Sequence, residues 1–334
     1  MKTAVIGGGS WGSAFALHLG RIPIPTSLWV REEEILQQLL KTRENTTFLP
    51  GFTFPDPVSF TGSLEEAVFG SEILFCAVPS RYFRSVFERM RPFVHAGQIF
   101  VSLTKGIEQD SLMRMSEVIS DVLSSNFSPL TAVLSGPSFA REVAKAHPTA
   151  VVIAADTMER ARTIQNLVSD SLFRCYSSTD IPGVELAGSI KNVIAVAAGI
   201  TEGLQLGDNS RAALITRGIA EISRLGHHLG AQTETFLGLA GIGDLVLTCT
   251  GKLSRNHRLG FEIGTGRRLS DIILDNPMVA EGITTSRSVK KLAETVPCEM
   301  PISEQVFAVL HEGKEPHKAL NELMTRSLKD EFYS

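Results

Sequence analysis

Apolar positions in the first half of the chain fall into short runs separated by segments of helical period. The runs at 2–7, 27–31, 72–78, 98–103, 131–135, 149–155 and 172–176 have the length expected of buried strands. Between them, 10–20, 32–43, 64–69, 80–91, 111–125, 139–145 and 157–170 read as helices. In the helix at 32–43, Ile35, Leu36, Leu39 and Leu40 make an apolar side and the charged residues a solvated one. Segment 48–58 holds Pro50, Pro55 and Pro57 and reads as a loop. Strands and helices in alternation predict a parallel or mostly parallel sheet with helices on both faces.

The pattern changes near residue 180, where Asp180, Pro182 and Gly183 form a breaker cluster. Beyond it the strand-like runs stop. Helical segments follow at 184–200, 211–228, 233–246, 254–264, 268–275, 284–296, 302–310 and 316–326. The expectation is a doubly wound, Rossmann-like α/β domain over 1–182 and an all-α domain over 183–334.

Composition narrows the partners. The chain has 334 residues, 43% hydrophobic and 20% charged, so it can bury a sizeable core, and its net charge is −4. That balance gives no electrostatic case for nucleic acid or an anionic membrane. A small anionic substrate would have to be held by local Lys and Arg. The four cysteines (Cys76, Cys175, Cys249 and Cys298) are far apart, and adjacent His227 and His228 suit no usual metal spacing, so no metal site is expected. The N-terminal residues read as a strand and not as a cleavable signal, and runs such as "VIAVAA" are far short of the ~20 residues that span a bilayer. A cytoplasmic protein without stable membrane insertion is expected.

The candidate chemistry begins at "AVIGGGSWGSAFA", residues 4–16. Gly7, Gly9 and Gly12 spell the dinucleotide-binding pattern G-x-G-x-x-G. Gly8, Ser10 and Gly12 spell the G-x-S-x-G of a hydrolase nucleophile elbow. An elbow needs preceding strands, and then an acid and a His in that order; only one strand candidate precedes Ser10. The strand–turn–helix context favours the dinucleotide reading: Gly7 for the tight turn, Gly9 for close approach of a pyrophosphate, Gly12 for packing of the helix. A turnover-free cofactor-binding sensor is the alternative from another class.

Several residues elsewhere look out of place. Lys191 and Asn192 interrupt "VELAGSIKNVIAVAAGI", a segment apolar on nearly every side, where a Lys is costly unless paired or functional. In "LAGIGDLVLTCTGKLSRNHRLG", Asp244 lies between a glycine pair and an apolar run, and Ser254, Arg255 and Asn256 open a helix with groups suited to a phosphate. Lys105 follows the strand at 98–103, and Gly136–Pro137–Ser138 follows the strand at 131–135. Both loops are expected at the crevice on which Gly7–Gly12 opens, because such sheets bind ligands beyond the carboxyl ends of their strands.

With these segments the chain resembles the bacterial NAD(P)-dependent glycerol-3-phosphate dehydrogenases from Lys2 to about Leu328. The resemblance is carried by "GGGSWGSAFA", "SLTKGIE", "LSGPSFAREV", "IKNVIAVAAGI", "NSRAALITRG", "GLAGIGDLVLTCTGKLSRNHRLG" and "VAEGITT". It implies interconversion of sn-glycerol 3-phosphate and dihydroxyacetone phosphate with NAD(H) or NADP(H), in the direction that supplies glycerol 3-phosphate for phospholipid synthesis. It further implies that Lys191 is the proton acceptor. Ser10, Trp11, Arg31, Lys105, Ala140, Arg255, Val279 and Glu281 would contact the cofactor. Lys105, Gly136, Ser138, Asp244, Ser254, Arg255 and Asn256 would contact the substrate. Another two-domain dehydrogenase of hydroxy acids or hydroxy phosphates is the alternative. The sequence does not fix the assembly state, for which a homodimer is one option.

Cofactor choice has its own signal. The residue after the strand ending at Val30 is Arg31, where NAD-specific domains usually place an acid that binds the ribose 2′-OH. An Arg there can pair with a 2′-phosphate, so NADPH is expected to serve at least as well as NADH. Glu32 to Glu34 follow on a starting helix and are expected to turn away.

Overall fold

The computed structural model describes residues 1–275 and 280–331, divided into two compact units. The first comprises Met1–Lys105 and Met113–Val184, the second Gly106–Leu112 and Glu185–Ser334. An unbroken first domain to residue 182 was expected; instead the short stretch Gly106–Leu112 belongs with the helical unit.

The first unit holds one sheet. Its strands are β1 (Thr3–Ile6), β2 (Thr26–Trp29), β3 (Val58–Thr61), β4 (Ile73–Cys76), β5 (Ile99–Ser102), β6 (Leu130–Ser135), β7 (Thr149–Ala155) and β8 (Phe173–Ser178). They lie in the order β3-β2-β1-β4-β5-β6-β7-β8. Pairing is parallel throughout except between β6 and β7. Strand β3 was not foreseen. It is an edge strand with one buried residue at its start, Val58, and it follows the proline-rich loop directly.

The helices of this unit are α1 (Ser10–Arg21), α2 (Glu33–Thr42), α3 (Leu64–Val68), α4 (Ser80–Met90), α5 (Met115–Leu123), α6 (Ala140–Ala144) and α7 (Met158–Val168). Successive strand residues point to opposite faces. Val5 and Phe75 enter a core that also holds Phe15 and Ala16 of α1 and Ile164 of α7. Ala4, Ile6 and Cys76 enter a second core with Phe83 of α4 and Ile119 of α5. A strand buried on both faces carries no alternation, which is why these strands read as continuous apolar runs.

The second unit is helical: α8 (Ile181–Gly203), α9 (Gly207–His228), α10 (Thr233–Phe236), α11 (Asp244–Thr250), α12 (Arg255–Gly264), α13 (Leu269–Asp275), α14 (Glu281–Glu294), α15 (Pro301–His311) and α16 (Pro316–Met324). The single helix expected over 233–246 is interrupted by a π-helical turn, Leu239–Gly243, so that a new helix starts at Asp244. Helix α8 begins three residues before its expected start. Asp180 caps it by accepting from the Gly183 N–H at 3.0 Å, and Pro182 sits in the first turn, where its missing N–H is no loss.

Helix α8 is long and apolar enough to cross a membrane, but 94% of that window is buried inside the protein. Its small residues let α12 approach closely. A Cβ on Gly199 would collide with the His257 carbonyl, and one on Gly260 with the Val196 carbonyl. The backbones of the two helices touch where any side chain would hold them apart.

Glu221 of α9 is a carboxylate buried in this unit and held by backbone donors. It accepts from the N–H groups of Ile302 and Ser303 in the first turn of α15, Ile302 at 2.7 Å. Burial pushes its pKa up and these bonds pull it down, leaving it at about 7. Between its ordinary value of 4.5 and about 7 the unfolded chain loses this proton while the folded chain keeps it. Stability therefore falls as pH rises through that window. Glu221→Gln should remove this dependence. Urea denaturation from pH 4.5 to 8 should show the wild type losing stability relative to the variant by a few kcal/mol, and a pH-independent difference would rule the assignment out.

Candidate active site

The carboxyl ends of the parallel strands β1, β2, β4, β5 and β6 share one edge of the sheet, and the expected cofactor and loop residues of the first unit follow those ends. After β1, Gly7 has φ +120, and a Cβ on it would lie 2.8 Å from the Ala77 carbonyl oxygen. Only glycine fits. A Cβ on Gly9 would meet nothing within 4 Å, whereas one on Gly12 would collide with the Gly7 carbonyl. Helix α1 then starts at Ser10 with no side chain capping its free N–H groups.

Asn45, fully buried, clamps this turn. Its Nδ2 donates to the Gly8 carbonyl at 2.8 Å and to Ser13 Oγ at 2.9 Å. The Trp11 indole N–H is buried and has no hydrogen-bond partner among the described residues. Open space at Gly9, an uncapped helix N-terminus and an orphan donor together fit the pyrophosphate of a dinucleotide.

Across the same edge, Lys105 Nζ donates to the Gly136 carbonyl at 2.9 Å, and Ser138 Oγ donates to the same oxygen at 2.8 Å. Gly136 has φ +138 and packs against Val151. Thr104 Oγ1 lies 2.6 Å from the Val78 carbonyl oxygen, holding the loop after β5 against the loop after β4. Ala140 is the first residue of α6. The sheet thus brings Gly7–Gly12, Lys105, Gly136 and Ser138 to one edge.

Arg31 follows β2, with its guanidinium 5.3 Å from the centroid of the Tyr82 ring. Glu32 does not turn away as expected. Its Oε1 accepts from Arg31 Nε at 2.9 Å and from Arg31 Nη2 at 2.5 Å. This bonding, before any other influence, holds the guanidinium pKa above its ordinary value.

In the second unit, Lys191 lies in the middle of α8, 5% exposed. Its ammonium donates to Asp244 Oδ1 at 2.7 Å and to Thr248 Oγ1 at 2.6 Å. Asp244 is 1% exposed, so the ion pair is out of water. The Thr248 hydroxyl proton goes to the Asp244 backbone carbonyl at 2.6 Å, which turns the oxygen lone pairs toward the amine. Asp244 owes its place to the π-helical turn before it. Gly241 in that turn has no room for a Cβ against the backbone of Phe236. Neighbouring Cys249 is fully buried, and burial pushes its thiol up to about 12.

On the residue after Lys191, Asn192 Oδ1 accepts from Asn256 Nδ2 at 2.9 Å, and Asn256 Oδ1 accepts from the Gly282 N–H at 2.9 Å. The Asn256 amide therefore ties α8, α12 and the start of α14 together. Ser254 caps α12 by accepting from the His257 N–H at 3.2 Å. Arg255, next to it, is exposed and makes no ion pair among the described residues. Glu281 opens α14. Val279 lies outside the described residues.

Sequence reasoning missed Asn45, Thr104 and Thr248 and gave Asn192 no role. Asn45 and Thr104 sit among ordinary polar residues of loops. Thr248 is four residues from Asp244, on the same helical face, and that spacing was the available signal.

The chain matches known proteins along both of its halves. Residues 2–161 match the N-terminal model of NAD-dependent glycerol-3-phosphate dehydrogenase, and residues 180–321 match the C-terminal model. The glycerol-3-phosphate dehydrogenase [NAD(P)+] of Geobacter sulfurreducens is 49% identical over 99% of this chain and 98% of its own length. The Koribacter versatilis protein of the same name is 48% identical over 99% of each. The crystal structure of glycerol-3-phosphate dehydrogenase from Coxiella burnetii superposes with a TM-score of 0.93 at 38% identity, covering 97% of this chain and 99% of that one. Both halves of the chain, matched in order by the two models and over full length by these relatives, belong to the NAD-dependent glycerol-3-phosphate dehydrogenase family.

Proposed function

We propose that the chain interconverts sn-glycerol 3-phosphate and dihydroxyacetone phosphate with NAD(H) or NADP(H), with Lys191 moving the proton and Arg255 holding the phosphate. The carrying observation is the buried constellation of Lys191, on the largely apolar helix α8, with Asp244 and Thr248 of α11. The bound nicotinamide supplies or takes the hydride. The protein's own part is to align the reacting carbon, manage one proton and hold one dianion.

In the reducing direction the Lys191 ammonium polarises the carbonyl of dihydroxyacetone phosphate and gives its proton to the oxygen. In the oxidising direction the neutral amine takes the C2 hydroxyl proton. Asp244 fixes the direction of the Lys191 amine, and Thr248 adds a second acceptor. Reduction is the physiological direction in this reading, and it supplies glycerol 3-phosphate for phospholipid synthesis in the cytoplasm. Arg255, with Ser254 and Asn256 at the start of α12, binds the phosphate through charge and helix N–H groups. Lys105, Gly136 and Ser138 add substrate contacts. Gly7, Gly9, Ser10, Trp11, Gly12, Arg31, Lys105, Ala140, Arg255, Val279 and Glu281 form the cofactor set.

Lys191→Met should lower kcat by roughly 10²–10⁴-fold, the usual contribution of general acid–base catalysis. It also strands Asp244, which costs about 3–5 kcal/mol for a broken buried pair. The double variant Lys191→Met/Asp244→Leu should therefore regain thermal stability but not turnover. Retention of half the activity by the single variant would remove Lys191 from the mechanism.

Arg255→Ala should raise KM for dihydroxyacetone phosphate by about ten- to a hundredfold, the worth of one charge-assisted hydrogen bond. Steady-state assays with dihydroxyacetone phosphate and with dihydroxyacetone read this directly. A variant that still prefers the phosphorylated substrate as strongly as the parent would place the phosphate elsewhere.

A further inference from the structure

Beyond the end of β2, Arg31 and Glu32 are joined through a single carboxylate oxygen. Both guanidinium bonds end on Oε1, and Oε2 accepts no hydrogen bond among the described residues. Arg81, the second residue of α4, brings its own guanidinium to 4.6 Å from the centroid of the Tyr82 ring, the ring against which Arg31 also lies. Strand β1 stands between β2 and β4 in the sheet, so this cluster flanks the Gly7–Gly12 turn. Two cations and one anion therefore meet at one exposed aromatic ring, where the ribose of a bound dinucleotide is read in this fold.

The charge balance differs between the two cofactors. NADPH brings a 2′-phosphate with close to two negative charges, which matches two guanidinium groups once Glu32 has given up Arg31. NADH brings a neutral 2′-hydroxyl, which needs an acceptor, and Oε2 of Glu32 is one. An exposed ion pair between neighbouring residues is weak and exchanges easily. Phosphate bound by Arg is stronger, because the fork of N–H groups fits it.

We propose that Glu32 and Arg31 form an exchangeable pair that sets cofactor preference, Glu32 accepting the 2′-hydroxyl of NADH and Arg31 with Arg81 taking the 2′-phosphate of NADPH. The carboxylate is the internal competitor of that phosphate. The inference rests on the reading of Arg31 as a contact to the adenosine side of the cofactor.

The experiment measures dissociation constants of NADPH, NADH, 2′,5′-ADP and 5′-AMP by calorimetry, with kcat/KM for both cofactors, on the wild type and three variants. Glu32→Gln should tighten NADPH and 2′,5′-ADP by roughly three- to tenfold and weaken NADH, consistent with removing one charged competitor and one acceptor. Arg81→Ala should weaken NADPH and 2′,5′-ADP by about tenfold, the scale of a charged hydrogen bond, and leave NADH and 5′-AMP unchanged. Arg31→Ala is the control for the underlying reading. If it changes no cofactor's binding, that reading of Arg31 fails. If it weakens NADPH selectively while Glu32→Gln shifts both cofactors equally or neither, the exchangeable pair alone is overturned. Equal losses for both cofactors in Arg81→Ala would remove Arg81 from the phosphate site.

Discussion

The ion pair between Lys191 and Asp244 is the interaction that its surroundings in the second unit are arranged to hold. Taking a carboxylate and an ammonium out of water costs several kcal/mol per ion even after relaxation. A well-packed apolar pair would be as stable or more so, and the surrounding helix supplies the residues for one. Every other feature of this region serves to make the pair tolerable. Thr248 gives the ammonium a second acceptor and commits its own proton to a backbone carbonyl. The π-helical turn aims Asp244 at the middle of α8. A cost accepted this deep in a core is the mark of a site held for chemistry.

The close crossing of α8 and α12 is the second constraint. Because Gly199 and Gly260 let the backbones touch, the start of α12 comes within reach of Asn192. The Asn256 amide then spans three helices with one donor and one acceptor. Side chains larger than hydrogen at either glycine would separate α12 from α8 and break that bridge. Asn45 acts in a comparable way in the first unit, where it fixes a turn whose glycines offer no side chains of their own.

Much of this was legible in the sequence, for identifiable reasons. Strands buried on both faces, such as β1 and β4, leave unbroken apolar runs, while edge strand β8 showed itself through alternating buried Phe173 and Cys175; of the eight strands only β3 went unseen. Edge strand β3 has too little buried surface to leave such a trace. The antiparallel step between β6 and β7 depends on pairing, which the runs do not encode. Lys191 and Asp244 stood out because charge in an apolar segment is locally anomalous. Thr248, Asn45 and Thr104 are ordinary polar residues, and only their partners, distant in sequence for Asn45 and Thr104, give them meaning. The adjacency of Arg31 and Glu32 was visible, but adjacency alone does not say whether two side chains meet.

The segment Gly106–Leu112 departs from the sequence order of the two units. Ile107 is fully in the second core, and its carbonyl accepts from Ser288 Oγ at 3.4 Å, 181 residues further along the chain. During synthesis, then, this short stretch with its buried Ile107 emerges early and waits for most of the second unit to be made. Closing so long a loop is slow in entropy terms, though each doubling of loop length adds only about 0.6 kcal/mol. The first unit's sheet continues past it through β6, β7 and β8 without using it. A fragment begun at residue 185 would lack one piece of its own interior, so the helical unit is not a module that can be excised with a single cut.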